Sequence, residues 1–364
     1  MRQRQLVKEY QRKEYSEEVE ALIQEKNEWM SMLEQELWWN DQYDRLSVDI
    51  LRSPQLPGKN EQQLIDKKYS ELLAQPIPHQ SFGAQRRYYQ SMALLNQLKG
   101  NSEAVLHYFQ ASVALWNQYP KTKVDGFFNY MGDMANYLYA VSRNPQHFHK
   151  LPALLQELRN QTPPNVQAEQ LLFERSIIYE LVFLLNQQQT SITEPLMRIE
   201  AGLKKYDLLP SSELSILFNT ILLLFLSDRF TDCLKWMKKL WQVQKQAPNL
   251  RLDIQDGSRI IFLLAVYKTA VFEDIENGLR TIQRYFAKRK ESPLRPVHAA
   301  VNTAIQQLQS ASSKKEELQT LAALNDQIAL LAHPVSAGID EVILLWIQSL
   351  LQSKTITELR RADS

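Results

Sequence analysis

Glycine is the first shortage: the chain has 9 in 364 residues, against a usual share of about 7%. So few glycines argue against a phosphate-cradling loop and against a sheet turned by many tight hairpins. Cysteine is scarcer still. The single Cys233 forbids an intramolecular disulfide, excludes cysteine-built zinc sites and suits a reducing compartment. Long apolar runs are also missing. The most apolar stretch, Ile216 to Leu226, is interrupted by Asn219 and Thr220, and it falls far short of the ~20 residues that a membrane helix needs. The opening MRQRQLVKEYQRKEY holds no apolar segment of signal-peptide length. Charge of one sign is absent overall, because 42 Lys and Arg face 41 Asp and Glu. No net field therefore points to nucleic acid or a membrane surface, and the cytoplasm is the expected location.

What the chain does have is helical periodicity. Its 44% apolar and 23% charged residues suit a folded protein, built as two or three compact domains or as one elongated array. From Val19, apolar residues fall at Leu22, Ile23, Trp29, Met30, Leu33 and Leu37, one helical stripe. It predicts a helix to about Ser53, broken by Pro54, Pro57 and Gly58. Asn60 with Gln63 resembles a capping box opening a helix through Leu73, and PIPH interrupts again at 76–79. Helix pairs are then expected at 81–99 with 101–118, 124–142 with 146–159, and 166–186 with 194–207. Two more follow at 212–227 with 230–245 and 254–269 with 272–289. No stretch alternates usefully at period two, so strands are not expected.

The first helices of these pairs begin about 42–43 residues apart, and a recurrence in this range marks a solenoid of hairpins. The reading is an all-α, α-α superhelix: a right-handed solenoid of about five hairpins. Residues 1–80 supply N-terminal helices, 81–290 the hairpins, and 291–364 a helical cap continuous with them. A Ser313-to-Glu316 capping box marks that C-terminal section, and EVILLWIQSLL follows Pro334 and Gly338.

In YYQSMALLNQLKGNSEAVLHYFQASVALW, Gly100 and Asn101 make the turn, and Ala104, Tyr108 and Ala111 recur at spacings of four and three. That spacing resembles the second helix of a tetratricopeptide repeat. Met92 stands where a small first-helix residue is usual, and the period exceeds the usual 34. Residues 166–361, through EAGLKKYDLLPSSELSILFNTILLLFLSDRFTDCLKWMKKLW and LRLDIQDGSRIIFLLAVYKTAVFEDIENGLRTIQRYFAKRK, resemble an uncharacterised tetratricopeptide-like family common in Bacteroidetes. The resemblance implies a helical-repeat fold and brings no catalytic residues. Members of that family extend further at the N-terminus, which implies that Met1 begins a shortened form or a fragment.

Motifs for chemistry are few. No nucleotide-fingerprint glycines, no G-x-x-x-x-G-K-[ST], no H-E-x-x-H and no G-x-S-x-G occur. His147 and His149 are two apart and diverge on a helix. No histidine follows a Glu by three residues, as a di-iron bundle requires. Cys233 reads as a partly buried, inert thiol. Catalysis, metals and cofactors are therefore not expected. Residues 229–290 carry 13 basic against 6 acidic residues, and the first 53 carry 8 against 12. Solvated helix faces and helix ends explain both better than nucleic acid does. The tryptophans read as core, except that adjacent Trp38 and Trp39 point about 100° apart. One of these two is left for a neighbouring helix and the other for a partner.

A solenoid offers its first helices as a concave ligand face. In GFFNYMGDMANYLY, Asn129, Asp133 and Asn136 form a polar stripe, and comparable positions are Arg86, Tyr89, Arg175, Tyr179, Asn219 and Arg259. Asparagine both donates and accepts, so it suits an extended backbone, and arginine suits a carboxylate. The expected function is a non-catalytic scaffold that binds a peptide or protein segment there. The alternative is a regulatory or sensor module of a signalling or transcription system, truncated at its N-terminus.

Overall fold

The structure is a computed structural model that describes residues 13–52, 59–78, 81–187, 192–269, 272–331 and 338–362. Among these residues the chain is all-helical, with no strand. It divides into two compact units, Met1–Leu154 with Thr162–Pro164, and Leu155–Gln161 with Asn165–Ser364.

The first unit opens with a 40-residue helix, α1 (Lys13–Arg52), followed by α2 (Lys59–Lys68) and a short α3 (Ser70–Ala74). The hairpin α4 (Phe82–Leu98) and α5 (Ser102–Gln118) then leads through α6 (Pro120–Asp125) to α7 (Phe127–Ser142). Only the second half of α1 is packed: Trp39 and Leu46 are buried with Tyr88, Ala84 and Leu95 of α4 and with Tyr69 and Leu72. The α4–α5 turn follows the sequence signals. Gly100 takes the left-handed conformation at φ 74, which only glycine adopts without strain, and Asn101 Oδ1 accepts the Ala104 N–H at 3.2 Å.

Several boundaries differ from the sequence reading. The helix expected at 124–142 divides at Gly126, where a Cβ would meet the Trp116 ring at 2.9 Å. The helix expected to reach Leu73 ends at Lys68 and restarts at Ser70, and Asn60 lies inside its first turn. A 3-10 turn, Phe148–Lys150, precedes α8 (Leu151–Arg159). Pro54, Pro57, Gly58, His79 and Pro334 lie outside the described residues.

The second unit continues as α9 (Val166–Asn186), α10 (Thr193–Lys205), α11 (Pro210–Leu226), α12 (Phe230–Gln246), α13 (Leu252–Thr269) and α14 (Phe272–Lys288). Then come α15 (Arg295–Ser310), α16 (Lys314–Leu331), α17 (Ile339–Leu351) and α18 (Ile356–Ala362). One apolar core runs through it. At its centre α11 is apolar on all sides, with Leu214, Leu217, Ile221, Leu224 and Phe225 fully enclosed, as a helix surrounded by others must be. Neighbouring helices pack in chain order, and α9 with α11, α11 with α13, and α13 with α15 also lie side by side. The capping box opens α16: Glu316 N–H donates to Ser313 Oγ at 3.3 Å, and the Glu316 carboxylate accepts the Ser312 N–H at 2.8 Å.

Residues 339–362 fold back onto this unit. α17 runs along α13 in the same direction. Ile339 sits where a Cβ on Gly257 would reach it at 3.0 Å, Trp346 stands edge-on to Tyr267 at 5.4 Å, and Lys268 Nζ donates to Ser349 Oγ at 3.1 Å. The Asp228 carboxylate, in the α11–α12 turn, accepts the N–H groups of Ile356 and Thr357 at 3.0 and 2.9 Å. It thereby caps α18 from another hairpin. Arg360 Nη2 donates to the Leu185 carbonyl at 2.5 Å, closing the α9 end.

Candidate protein-binding surfaces

The polar residues expected to line a ligand face are largely engaged inside the protein. In the first unit Asp133 on α7 is 1% exposed. Its carboxylate accepts Arg86 Nε at 2.6 Å and Nη2 at 3.1 Å, Trp116 Nε1 at 2.7 Å, and the Gln90 side-chain amide. Four donors saturate a carboxylate. Arg86 also lies over the Trp116 ring, 5.5 Å from its centroid, and reaches the Asn129 carbonyl at 3.4 Å. Asp133 is therefore not a solvated groove position. The spacing correctly places Asn129, Asp133 and Asn136 along one helix side, but that side turns under α4, where Arg86 neutralises the middle residue. Asn129 is exposed, whereas Asn136 and Tyr89 are half-buried, and the Tyr89 ring stands 5.4 Å from Tyr88.

In the second unit Arg259 is tied down in the same way. Its Nη1 donates to Gln244 Oε1 at 2.6 Å and to the Gln255 carbonyl at 3.0 Å, and the guanidinium lies 4.1 Å from the Tyr285 centroid. Beside it, buried Asp256 accepts from Tyr285 Oη at 2.7 Å, Ser292 Oγ at 2.5 Å and Arg289 Nη2 at 3.1 Å. Burial, then the hydrogen bond to Asp256, holds the Tyr285 phenol well above its ordinary pKa. Burial pulls Arg259 below the usual guanidinium value. Arg175 and Tyr179 on α9 and Asn219 on α11 are half-buried. Arg175 approaches Glu174 at 3.8 Å. Glu180, a third buried acid, meets Arg198 at 2.5 Å and Arg159 at 2.8 Å.

Three first helices thus each bury a carboxylate against arginine from another part of the chain. Nothing local in the sequence announces these partners, which lie 18 to 47 residues away. Such groups fix packing and leave little lone-pair capacity for a substrate proton. Cys233 is fully buried, and burial pushes its thiol up to about 12, the inert state expected of it. Among the described residues no group of three His, Cys, Asp or Glu is placed to hold a metal, and no helix is long and apolar enough to cross a membrane.

The largest departure from expectation is α1. Its stripe does not enter a core: Leu22, Ile23, Met30, Leu33 and Leu37 are exposed, and Trp29 is 64% exposed. At 100° per residue, Val19, Leu22, Ile23, Trp29, Met30, Leu33 and Leu37 occupy an arc of about 120°, the width that a packed helix normally hides, with Lys26 the one charge inside it. Along one edge of the arc fall Glu18, Glu25 and Glu36, and along the other Glu20 and Glu34. Away from the stripe, on the side of α1 that carries buried Trp39, lies a cavity of ≈ 430 Å³ lined by Glu34, Gln35, Trp38, Trp39 and the 75–78 segment with Pro76, Ile77 and Pro78. Trp39 is buried edge-on to Tyr88 at 5.0 Å, and half-buried Trp38 stands edge-on to Trp39 at 4.7 Å. The adjacent pair therefore divides as its 100° offset requires.

No family model, curated protein or solved structure matches this chain.

Proposed function

We propose that the protein is a non-catalytic helical-repeat scaffold, tetratricopeptide-like in its hairpins, that binds a helical segment of another protein. Its first helices begin at residues 82, 127, 166, 210, 252, 295 and 339. The recurrence seen in the sequence supports a right-handed superhelical array of hairpins through α15, and α17 then leaves it by folding back along α13. Each hairpin hides its apolar face on its neighbours.

The observation that carries the binding role is the uncovered stripe on α1. Exposed apolar surface of this kind, crossed by a single charge at Lys26, marks an interaction site, and a helical segment is the shape that fits a helix stripe. The first-helix polar residues give weaker support, because Asp133 and Arg259 are already satisfied and α17 lies along α13. Replacing Met30 and Leu33 together by glutamine, a residue of similar helix propensity, tests whether the stripe is free. The midpoint of urea unfolding is expected to stay within about 0.5 kcal/mol of the parent, as at an uncovered surface position. A loss of several kcal/mol would show that the chain covers this stripe itself, and the reading would fail.

A further inference from the structure

Resting on that reading, we infer that the segment taken by α1 is a basic amphipathic helix of about 18–20 residues. Two observations carry this. The stripe from Val19 to Leu37 is about 27 Å long at 1.5 Å per residue, which sets the length of the partner. Seven glutamates and one lysine, Lys26, occur between residues 17 and 36, and glutamates run along both edges of the stripe. A partner whose own stripe is edged by Lys and Arg places opposite charges along both seams, the arrangement that sets partner choice between paired helices.

The same charges argue against a second copy as the occupant. Two α1 helices side by side, parallel or antiparallel through residues 17–36, would bring acidic edge against acidic edge, and like charges across paired helices are destabilising. An anionic bilayer would be repelled for the same reason.

The test uses the full chain and two synthetic 20-residue helices of identical leucine stripe, one edged by lysine and one by glutamate, each labelled for fluorescence anisotropy. The lysine-edged helix is expected to bind saturably and at least tenfold more tightly than the glutamate-edged one. It should weaken about tenfold on Met30→Gln with Leu33→Gln, which removes the two apolar groups at the middle of the stripe. Sedimentation velocity should show a monomer. Equal binding of the two helices, lost in the Met30/Leu33 variant, would overturn the basic partner and leave the scaffold standing. Binding of the lysine-edged helix that ignores the Met30/Leu33 change would be charge attraction alone and would overturn the site. No binding of either helix, or a dimer that dissociates in the Met30/Leu33 variant, would also overturn the inference, the dimer by assigning the stripe to a second copy.

Discussion

Removing the Arg86 side chain is the perturbation whose magnitude the structure defines best. Arg86→Ala deletes both donors that reach Asp133, at 2.6 and 3.1 Å, and leaves a carboxylate that is 1% exposed with only Gln90 and Trp116 as partners. Breaking a buried ion pair from one side costs about 3–5 kcal/mol, because the remaining charge stays out of water. The contact with the Trp116 face contributes up to about 1 kcal/mol more. The Arg86 side chain is itself 12% exposed, so water can enter the vacated space, which places the expectation near the lower end, about 3 kcal/mol. For a unit of this size that corresponds to a fall in Tm of about 6–12 °C. Urea unfolding, followed by tryptophan emission and by far-UV circular dichroism, measures it. Arg86→Met combined with Asp133→Leu removes the charges together and should recover part of the loss, the rest remaining because buried Trp116 Nε1 and Gln90 lose their acceptor. A change of only about 0.5 kcal/mol in Arg86→Ala, as at a solvated groove position, would refute the reasoning. So would a double variant no better than the single one.

Other expectations follow from burial. Trp116→Ala should cost about 3–5 kcal/mol, because the indole is enclosed and donates to Asp133; Tyr108→Ala should cost clearly less, because that ring is only half-buried, and equilibrium unfolding of both variants checks the order. Burial holds His298 down at about 4, so the unfolded chain binds a proton that the folded chain refuses. Its contribution to stability is therefore complete above about pH 6.5 and is lost as pH falls from there towards 4; His298→Leu should flatten that part of the stability profile relative to the parent. Cys233, with its thiol pushed up to about 12, should resist a thiol reagent at pH 8 until the second unit unfolds, and rapid labelling of the native protein would contradict its burial.

The existence of the helices was legible because each carries its own local grammar. Asn101 and Asn165 cap their helices, Pro210 and Pro296 sit in first turns, and the apolar spacing sets the periods. Most starts therefore fall within a few residues of expectation. What stayed hidden is whatever depends on which neighbour a face meets. Asp133 reads as polar and hence as solvent-facing, but its guanidinium partner stands 47 residues upstream, and no local spacing encodes that pairing. The fold-back of α17 onto α13 was equally hidden, since EVILLWIQSLL needs burial but does not say against what. The stripe on α1 fails for the converse reason: leucine, isoleucine and tryptophan at helical spacing suit the chain's own core and another protein's helix equally. Its flanking glutamates and its exposure in the folded chain distinguish the two.

Hydrogen exchange along α1, with and without the lysine-edged helix, tests the central claim most directly. Residues 20–31 are exposed throughout, so in the free protein their amides should exchange much faster than those of residues 39–50, which pack on α4. On adding the helix, protection should appear across 17–36 and leave the α11–α13 core unchanged. Slow exchange in the free protein would show that the stripe is already buried. Unchanged exchange at saturating helix would show that nothing docks there.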